Sequence, residues 1–286
     1  MTNQKKSHGF KFGSRVYDLS ARTYIMGIVN VTPDSFSDGG RFFDPDLAVQ
    51  HGIQLEKQGA DFLDIGGEST RPGSEPVTEE EEIRRVVPVI ERLVKAVSIP
   101  VSIDSYKSEV ARRGLEAGAC IVNDISGLTH NPRMIDVVVE HNASVVLMHI
   151  LGTPKTMQMH PVYSDVVHEV YQFLERQVSV VRDRGVAQIM VDPGVGFGKD
   201  LQHNLDLMRR LEEFQELGCP ILVGPSRKSF IGKLLDLPVD ERLEGTAAAV
   251  TACVLRGANI VRVHDVREMK RVALVADALK TQQTTA

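Results

Sequence analysis

Short apolar runs alternate with segments of helical periodicity along most of the chain. Strands are predicted at 24–31, 61–66, 101–104, 120–125, 144–150, 189–191, 221–224 and 259–263. Each run is almost continuously apolar, as in strands that are buried on both faces. Helices are predicted at 45–58, 78–97, 108–117, 164–184, 203–213 and 240–256, with two more that begin near 131 and 265.

This alternation predicts an α/β fold with a parallel sheet covered by helices. Eight strand–helix units in about 250 residues are the number found in a closed (β/α)8 TIM barrel. An open, doubly wound sheet is the alternative, and it would bind its ligand at one switch point. Polar residues end every predicted strand, which favours a barrel with a single mouth. We therefore predict one barrel domain over residues 23–280, with an N-terminal extension (1–22) that contains a short hairpin and a C-terminal tail (281–286).

Capping residues predict where several helices start. Thr78 and Glu81 form a capping-box pattern. Asn131 and Pro132 suit the N-cap and the first position of a helix. Asp240 is the predicted cap of the helix at 240–256, and Asp265, followed by Glu268, is the predicted cap of the last helix.

The sixth strand runs into a glycine-spaced turn, IMVDPGVGFGK (189–199). Asp192 stands where this buried strand ends, and a buried carboxylate is costly unless it is paired or hydrogen-bonded. The glycines at 194, 196 and 198 allow a positive φ or a close approach of the backbone to another group. Capping of the turn is the alternative role for the aspartate. The spacing matches neither the dinucleotide fingerprint nor a P-loop.

Three of the predicted strands end in acceptor side chains: Asp104, Asn123 and Asp192. Two carboxylates and an amide around one mouth suit a flat heterocycle that presents an edge of N–H donors, because one carboxylate accepts two parallel hydrogen bonds. Local capping stays an alternative for Asp104 and Asn123. His149 is a candidate general base, although a hydrogen-bonded structural histidine is the more common role at a strand end.

The last two strands end in cationic or potentially cationic groups: Arg227, Lys228, Arg262 and His264. Their predicted convergence at one face of an acidic protein indicates an anion site, since arginine suits phosphate and carboxylate. Arg71 lies in a Gly/Pro-rich loop after the second strand. Asn30, after the first strand, is a candidate ligand for Mg²⁺, which usually takes few protein ligands and keeps its waters.

The composition limits the possible partners. The 286-residue chain carries a net charge of −5, which argues against a nucleic-acid partner. Three cysteines are scattered singly, which suits a reducing compartment and gives neither a disulfide framework nor a zinc site. The polar start predicts no signal peptide, and the apolar stretch at 245–255 is too short to span a membrane. We predict a cytoplasmic protein without a membrane partner.

Eight segments resemble motifs of the dihydropteroate synthase family. They are MGIVNVTPDSFSDGG (26–40), DIGGESTRPGS (64–74), SIDS (102–105), NDISG (123–127), LMH (147–149), DPGVGFGK (192–199), SRKS (226–229) and RVHDV (262–266). They occur in the family order and extend over nearly the whole chain. The resemblance implies a (β/α)8 barrel and a transferase of folate biosynthesis. Such an enzyme joins 6-hydroxymethyl-7,8-dihydropterin diphosphate to p-aminobenzoate in the presence of Mg²⁺.

The resemblance also implies roles for individual residues. The pterin-binding residues would be Asp104, Asn123, Asp192, Lys228, Met148 and Phe197. The diphosphate would bind to Asn30, Arg262 and His264, with Asn30 also at the metal. The p-aminobenzoate site would consist of Phe36, Thr70, Arg71, Pro72 and Ser226. Asp104, Lys228 and Asp38 would be the catalytic residues. A homodimer and inhibition by sulfonamides are further expectations.

Two positions depart from the family pattern, Ser105 where threonine is frequent and Pro225 before SRKS. Neither replaces a charged group. A corrinoid-linked methyltransferase with a similar pterin-binding barrel is one alternative, although it needs neither a diphosphate site nor the STRPGS loop. An inactive pterin-binding scaffold is another. Loops 32–40 and 67–76 are rich in Gly, Pro, Ser and Asp, so we expect them to order around diphosphate and pterin before p-aminobenzoate binds.

Overall fold

A closed barrel of eight parallel strands forms the centre of the molecule. The computed structural model describes residues 9–32 and 44–280. A hairpin, β1 (Gly9–Phe12) and β2 (Arg15–Asp18), comes first. The barrel strands are β3 (Tyr24–Asn30), β4 (Phe62–Gly66), β5 (Val101–Asp104), β6 (Ile121–Asp124), β7 (Ser144–Met148), β8 (Ile189–Asp192), β9 (Leu222–Val223) and β10 (Ile260–Val263).

The strands follow one another around the ring, and β10 pairs with β3. A bridge between Val191 and Ile221 closes the remaining gap between β8 and β9, and the Val191 amide donates to the carbonyl of Pro220 at 3.0 Å. The predicted barrel and hairpin are therefore confirmed, and the open doubly wound sheet is wrong.

Helices cover the outside of the barrel. They are α1 (Pro45–Lys57), α2 (Glu79–Ala96), α3 (Ser108–Glu116), α4 (Met134–Glu140), α5 (Val166–Asp183), α6 (Leu201–Arg209), α7 (Ser229–Leu235), α8 (Leu243–Leu255) and α9 (Val266–Leu279). Short 3-10 helices lie at Leu211–Leu217 and Val239–Glu241. Of the helices in the described part of the chain, none is long and apolar enough to cross a membrane.

Alternate residues of most barrel strands belong to two separate apolar cores. Outward-facing residues such as Ile65, Ile103 and Val191 pack against the helices. Inward-facing residues such as Met26 and Met190 fill the amino-terminal half of the barrel. This separation follows from the period-two alternation of side chains along a strand.

The hairpin closes the amino-terminal end of the barrel. Phe12 is 2% exposed, and its ring meets that of Phe62 edge to face at a centroid distance of 4.9 Å. Tyr17 packs on the same two rings. Among the described residues, the hairpin therefore covers this end and leaves the opposite end, where the strands finish, as the one that can receive a ligand.

Several predicted helix starts are wrong by a few residues. The helix predicted from Asn131 begins at Met134. The Asn131 side chain accepts from the Arg133 amide at 3.0 Å, so the chain completes a local turn before the helix starts. The helix predicted at 203–213 begins earlier, at Leu201, because Asp200 and His203 form a capping box.

The segment after β9 differs most from the prediction. Helix α7 was not predicted, and Asp240 lies in a 3-10 turn rather than at the cap of α8. Helix α8 starts at Leu243. Asp265 does occupy the N-cap of α9, but its carboxylate pairs with Arg227 instead of capping the helix. Tertiary pairing has replaced the local bond.

The Thr78 cap is confirmed, because its hydroxyl accepts from the Glu81 amide at 3.2 Å. The Glu81 carboxylate pairs with Arg84 and Arg85 instead of returning to the Thr78 amide, so the predicted capping box is only half formed.

Candidate active site

Arg262 lies between two carboxylates at the carboxyl ends of the strands. Its Nε donates to Asp64 Oδ2 at 2.6 Å, and its Nη2 donates to Asp104 Oδ2 at 2.6 Å. Asn123 Nδ2 donates to the same Asp64 oxygen at 2.8 Å. The parallel register places Asp104 beside Asn123. Strands β4, β5, β6 and β10 are thus joined by one buried network.

Asp64 is a member of this network that was not among the site residues predicted from the sequence. It lies inside a strand with Phe62, Leu63 and Ile65 as neighbours, and its side chain is fully buried. Its Oδ1 has no hydrogen-bond partner among the described residues. A charge inside an otherwise apolar strand was the available signal, because a buried carboxylate requires a partner elsewhere in the fold.

Burial strongly affects the two carboxylates that were predicted to bind a ligand. Burial raises the pKa of Asp104 to about 7, although Arg262 opposes the shift, while Asp64, Glu82 and Asp124 add to it. Burial likewise raises the pKa of Asp192 to about 6, against the Gly194 amide and the charges of Lys228, Lys199 and Arg262. Both groups would favour a ligand that donates N–H bonds or carries positive charge.

The turn after β8 places Asp192 and Phe197. Gly194 has φ 71°, its amide donates to Asp192 Oδ1 at 2.7 Å, and a Cβ there would lie 1.9 Å from the carbonyl oxygen of His149. The positive φ predicted for Gly194, Gly196 and Gly198 is confirmed. Only glycine fits Gly194, because a side chain would collide with the neighbouring strand end.

An apolar patch adjoins this turn. Phe197 packs with Met148, Ile125 and Met157. Lys228 Nζ lies 3.8 Å from the centre of the Phe197 ring, in a cation–π contact. Burial, reinforced by Arg262, lowers the pKa of Lys228 to about 8, whereas Asp192 and Asp104 oppose the shift. At neutral pH Lys228 therefore remains mostly protonated, although it loses its proton more easily than an exposed lysine.

His149 does not contribute to the mouth. It is buried, and its Nδ1 lies 3.0 Å from the Nζ of buried Lys199. Burial, aided by Lys199, lowers its pKa to about 2. These contacts match the structural role of a strand-end histidine rather than that of a general base.

The four groups predicted to form an anion site do not all remain available as cations. Arg227 is paired with Asp265, with Nε 3.0 Å from Oδ2. His264 Nδ1 lies 3.0 Å from Ser226 Oγ, and burial, with help from nearby Arg262, lowers the pKa of His264 to about 3. Lys228 and Arg262 therefore supply the positive charge, while His264 is a neutral hydrogen-bonding group.

A cavity of about 340 Å³ opens at this end of the barrel. The predicted site residues on its wall are Asn30, Thr70, Arg71, Pro72, Asp104, Phe197, Ser226, Lys228, Arg262 and His264. Asn123, Met148 and Asp192 lie at neighbouring strand ends but not on this wall. Phe36 and Asp38 fall outside the described residues.

The described residues contain no group of three or more His, Cys, Asp or Glu side chains placed to hold a metal ion. A metal at this site would therefore depend on few protein ligands, as Mg²⁺ commonly does when it also binds water and phosphate.

Comparison with known proteins places most of the chain in one group. Residues 26–264 match the family described as pterin binding enzyme. The dihydropteroate synthase of Synechocystis is 49% identical over 270 residues, which is 93% of each chain.

The chain belongs to the dihydropteroate synthase family.

Solved structures of this family agree with the fold. The Clostridium difficile dihydropteroate synthase, crystallised in the presence of pteroic acid, has a TM-score of 0.86 at 46% identity, over 92% of this chain and 98% of the other. The Xanthomonas albilineans dihydropteroate synthase with 4-aminobenzoic acid has a TM-score of 0.88 at 44% identity, over 94% and 97% of the two chains. As a dihydropteroate synthase family member, this chain is a transferase.

Proposed function

We propose that the mouth of the barrel joins 6-hydroxymethyl-7,8-dihydropterin diphosphate to p-aminobenzoate and releases diphosphate. One observation carries the assignment: a single cavity has the buried Asp104–Arg262 pair, Lys228 and the Thr70–Pro72 loop on its wall. One acceptor for the pterin, cations for the diphosphate and a separate loop for the second substrate thus border one volume, while Asn123 and Asp192 lie at neighbouring strand ends.

The pterin binds at the acceptor side of the mouth. The Gly194 amide occupies Oδ1 of Asp192. The other carboxylate oxygen, Oδ2, accepts no hydrogen bond from the described residues. Asn123 donates its amide to Asp64, which orients its Oδ1 as an acceptor. Hydrogen bonds to charged groups contribute about 1.5–3 kcal/mol each, so Asp192 and Asp104 supply much of the pterin affinity. Phe197 and Met148 form the apolar surface for the ring.

The diphosphate binds at the cationic side, with Arg262, His264, Ser226 and Asn30. Two nitrogens of Arg262 are used by Asp64 and Asp104, which leaves Nη1 for a phosphate oxygen. The amide of Asn30, at the end of β3 and on the cavity wall, fits the requirement of Mg²⁺ for a hard oxygen ligand. When bound, the ion would neutralise charge on the departing diphosphate.

The transfer exchanges one bond for another at the pterin methylene group. The C–O bond to diphosphate breaks as the amine nitrogen of p-aminobenzoate forms a C–N bond and then loses a proton to water. Positive charge that develops on the pterin is stabilised by ionised Asp104. Arg262 and Lys228 stabilise the negative charge on diphosphate from fixed positions, so little reorganisation is needed. An aromatic amine is already nucleophilic, and the reaction requires no strong general base.

Thr70, Arg71, Pro72 and Ser226 form the p-aminobenzoate site. Arg71 is exposed and lies on the cavity wall, where its guanidinium can bind a carboxylate.

The homodimer forms through α8 and α9. These helices pack against each other and leave Leu255, Leu274, Val275 and Leu279 exposed. Burial of such a surface is favourable at about 25 cal/mol per Å². Light scattering should give twice the chain mass, and Leu274→Glu should give the monomer mass. A wild-type monomer at micromolar concentration would reject the dimer.

A cytoplasmic location agrees with the cysteines. Cys120, Cys219 and Cys253 are all free thiols, as in a reducing compartment.

A turnover assay with purified protein, both substrates and Mg²⁺ tests the function. We expect equal amounts of dihydropteroate and diphosphate, and no diphosphate when p-aminobenzoate is omitted. Asn30→Ala should raise the Mg²⁺ concentration for half-maximal rate about tenfold, in line with the loss of one of few protein ligands. Transfer of a methyl group from a methylated tetrahydropterin, without diphosphate release, would instead identify the corrinoid-linked alternative. Pterin binding without either reaction would identify an inactive scaffold.

A further inference from the structure

We infer that Lys107 is a positioning residue that holds the p-aminobenzoate loop, residues 67–77, in a fixed position at the carboxyl end of the barrel strands. The inference rests on the proposed function, because it takes Thr70, Arg71 and Pro72 on that loop as substrate contacts. Lys107 does not line the cavity itself, but its partner Glu68 does. It lies three residues after Asp104, at the N-cap of α3.

All three donors of the Lys107 ammonium group are used. Nζ donates to Glu68 Oε2 at 2.6 Å, to Glu82 Oε2 at 2.7 Å and to the carbonyl oxygen of Val77 at 2.7 Å. The side chains of Lys107, Glu68 and Glu82 are only 10%, 6% and 1% exposed. We call these four residues the loop clamp.

Two members of the loop clamp lie at or next to the two ends of the loop. Glu68 follows β4 by two residues, and Val77 immediately precedes the N-cap of α2. The Glu68 carboxylate also accepts from the Val77 amide at 2.9 Å and from the Tyr106 hydroxyl at 2.5 Å. One ammonium group therefore ties both loop ends to the turn that follows Asp104.

The contacts at the tip of the loop are weaker. Lys155 pairs with Glu75, but their side chains are 57% and 71% exposed, and exposed pairs contribute little. The Gly73 amide donates to the carbonyl of Pro154 at 3.1 Å. At the base, Arg85 Nη1 adds one bond to the carbonyl of Gly67. Because buried charge pairs are far less screened than exposed ones, the clamp decides where Thr70 and Arg71 stand.

Lys107→Met tests this inference, since methionine keeps the length of the side chain but has no donors. Lys155→Met is the matched control, because it removes a lysine from an exposed ion pair on the same loop. For each enzyme we would measure KM for both substrates, pterin affinity by calorimetry, and amide hydrogen exchange in residues 68–77 without ligand.

We expect Lys107→Met to raise KM for p-aminobenzoate about tenfold or more, because small displacements of positioning groups are costly. KM and affinity for the pterin should change by less than about threefold, or well under 1.4 kcal/mol. Amide exchange in 68–77 should become about tenfold faster, as for a segment that opens locally. Lys155→Met should leave all of these values within about twofold.

A folded Lys107→Met enzyme with unchanged exchange in 68–77, or with equal increases in both KM values, would overturn the inference. If that variant fails to fold, Glu68→Gln replaces it, because it retains the buried Lys107–Glu82 pair. For Glu68→Gln we then expect KM for p-aminobenzoate to rise about threefold, as for the weakening of one charged hydrogen bond. The other measurements should follow the same pattern as for Lys107→Met. If the wild type makes no dihydropteroate, the proposed function fails, and the exchange data still decide whether Lys107 holds the loop.

Discussion

The two halves of the barrel interior are built from the same strands but from opposite kinds of residue. Two positions along a strand separate Phe62 from Asp64 and Ile260 from Arg262. The lower residue of each pair belongs to a dry apolar layer under the hairpin, whereas the upper one belongs to a charged network. Stability and chemistry are thus assigned to successive layers of one scaffold, as is general for barrels of this type.

This contrast explains why charge can be concentrated at one end of the barrel. Buried Asp64, Asp104 and Asp192 are costly on their own. The apolar layer and the outer core supply stability elsewhere, so the carboxylates can remain where a ligand needs them. If this division is correct, substitutions in the two layers should affect different measurements.

The largest effect is expected from Phe12→Ala at the apolar end. Removal of a buried phenylalanine should lower the free energy of unfolding by about 3–5 kcal/mol. We expect kcat/KM per folded enzyme to stay within about twofold, because the ring lies at the end away from the mouth. Urea denaturation and a turnover assay measure the two quantities.

Val16→Ala on the same hairpin is the control, since Val16 is 72% exposed. This variant should change stability by less than about 0.5 kcal/mol. A large loss of kcat/KM in Phe12→Ala would show that the layers are not independent.

Asp192→Asn should produce the opposite result at the charged end. The amide keeps the volume but presents a donor to the pterin N–H groups, so pterin affinity should fall about 100-fold, or about 2.7 kcal/mol. Stability should not decrease, because a buried charge is removed. Calorimetry with the pterin and thermal unfolding provide the test. Affinity within a few-fold of wild type would contradict the role of Asp192.

The pH dependence should separate binding from stability at the same residue. Because burial raises the pKa of Asp192 to about 6, the carboxylate is lost as pH falls through that value. Below about pH 6, the ratio of the wild-type pterin affinity to that of Asp192→Asn should then fall by up to about tenfold per pH unit. The stability of the unliganded protein changes in the opposite direction. The folded state binds this proton more tightly than the unfolded state does, so stability relative to Asp192→Asn should rise from about pH 6 towards pH 4. Parallel loss of affinity and stability on acidification would contradict this assignment.

The smallest effect is expected from Ser102→Ala. Ser102 lies in the lower layer of β5 and is fully buried, and its hydroxyl has no partner among the described residues. Its removal should be neutral or should stabilise the fold by about 1 kcal/mol. Ser144→Ala is the comparison, because Ser144 Oγ donates to the carbonyl of Lys11 at 3.2 Å, and it should cost about 1 kcal/mol. Equal destabilisation in both variants would show that Ser102 has an unseen partner.

Patterns in the sequence were enough to predict the fold and the position of the site. Continuous apolar strands between amphipathic helices predicted the barrel, because parallel strands must be buried on both faces. The carboxyl ends of parallel strands meet at one edge, so the convergence of Asp104, Asn123 and Arg262 followed once the strands were recognised. The loop motifs predicted the family, which the comparisons with known proteins confirmed.

The pairing of the charges is visible only in the folded protein. Arg262 forms hydrogen bonds with Asp64 and Asp104, which precede it in the chain by 198 and 158 residues. Asp265 pairs with Arg227 instead of capping its own helix. Local patterns cannot distinguish a capping aspartate from a paired one, because the deciding partner is distant in sequence. The same holds for protonation: burial leaves His264 with a pKa of about 3, and burial arises from the packing of the whole barrel rather than from neighbouring residues.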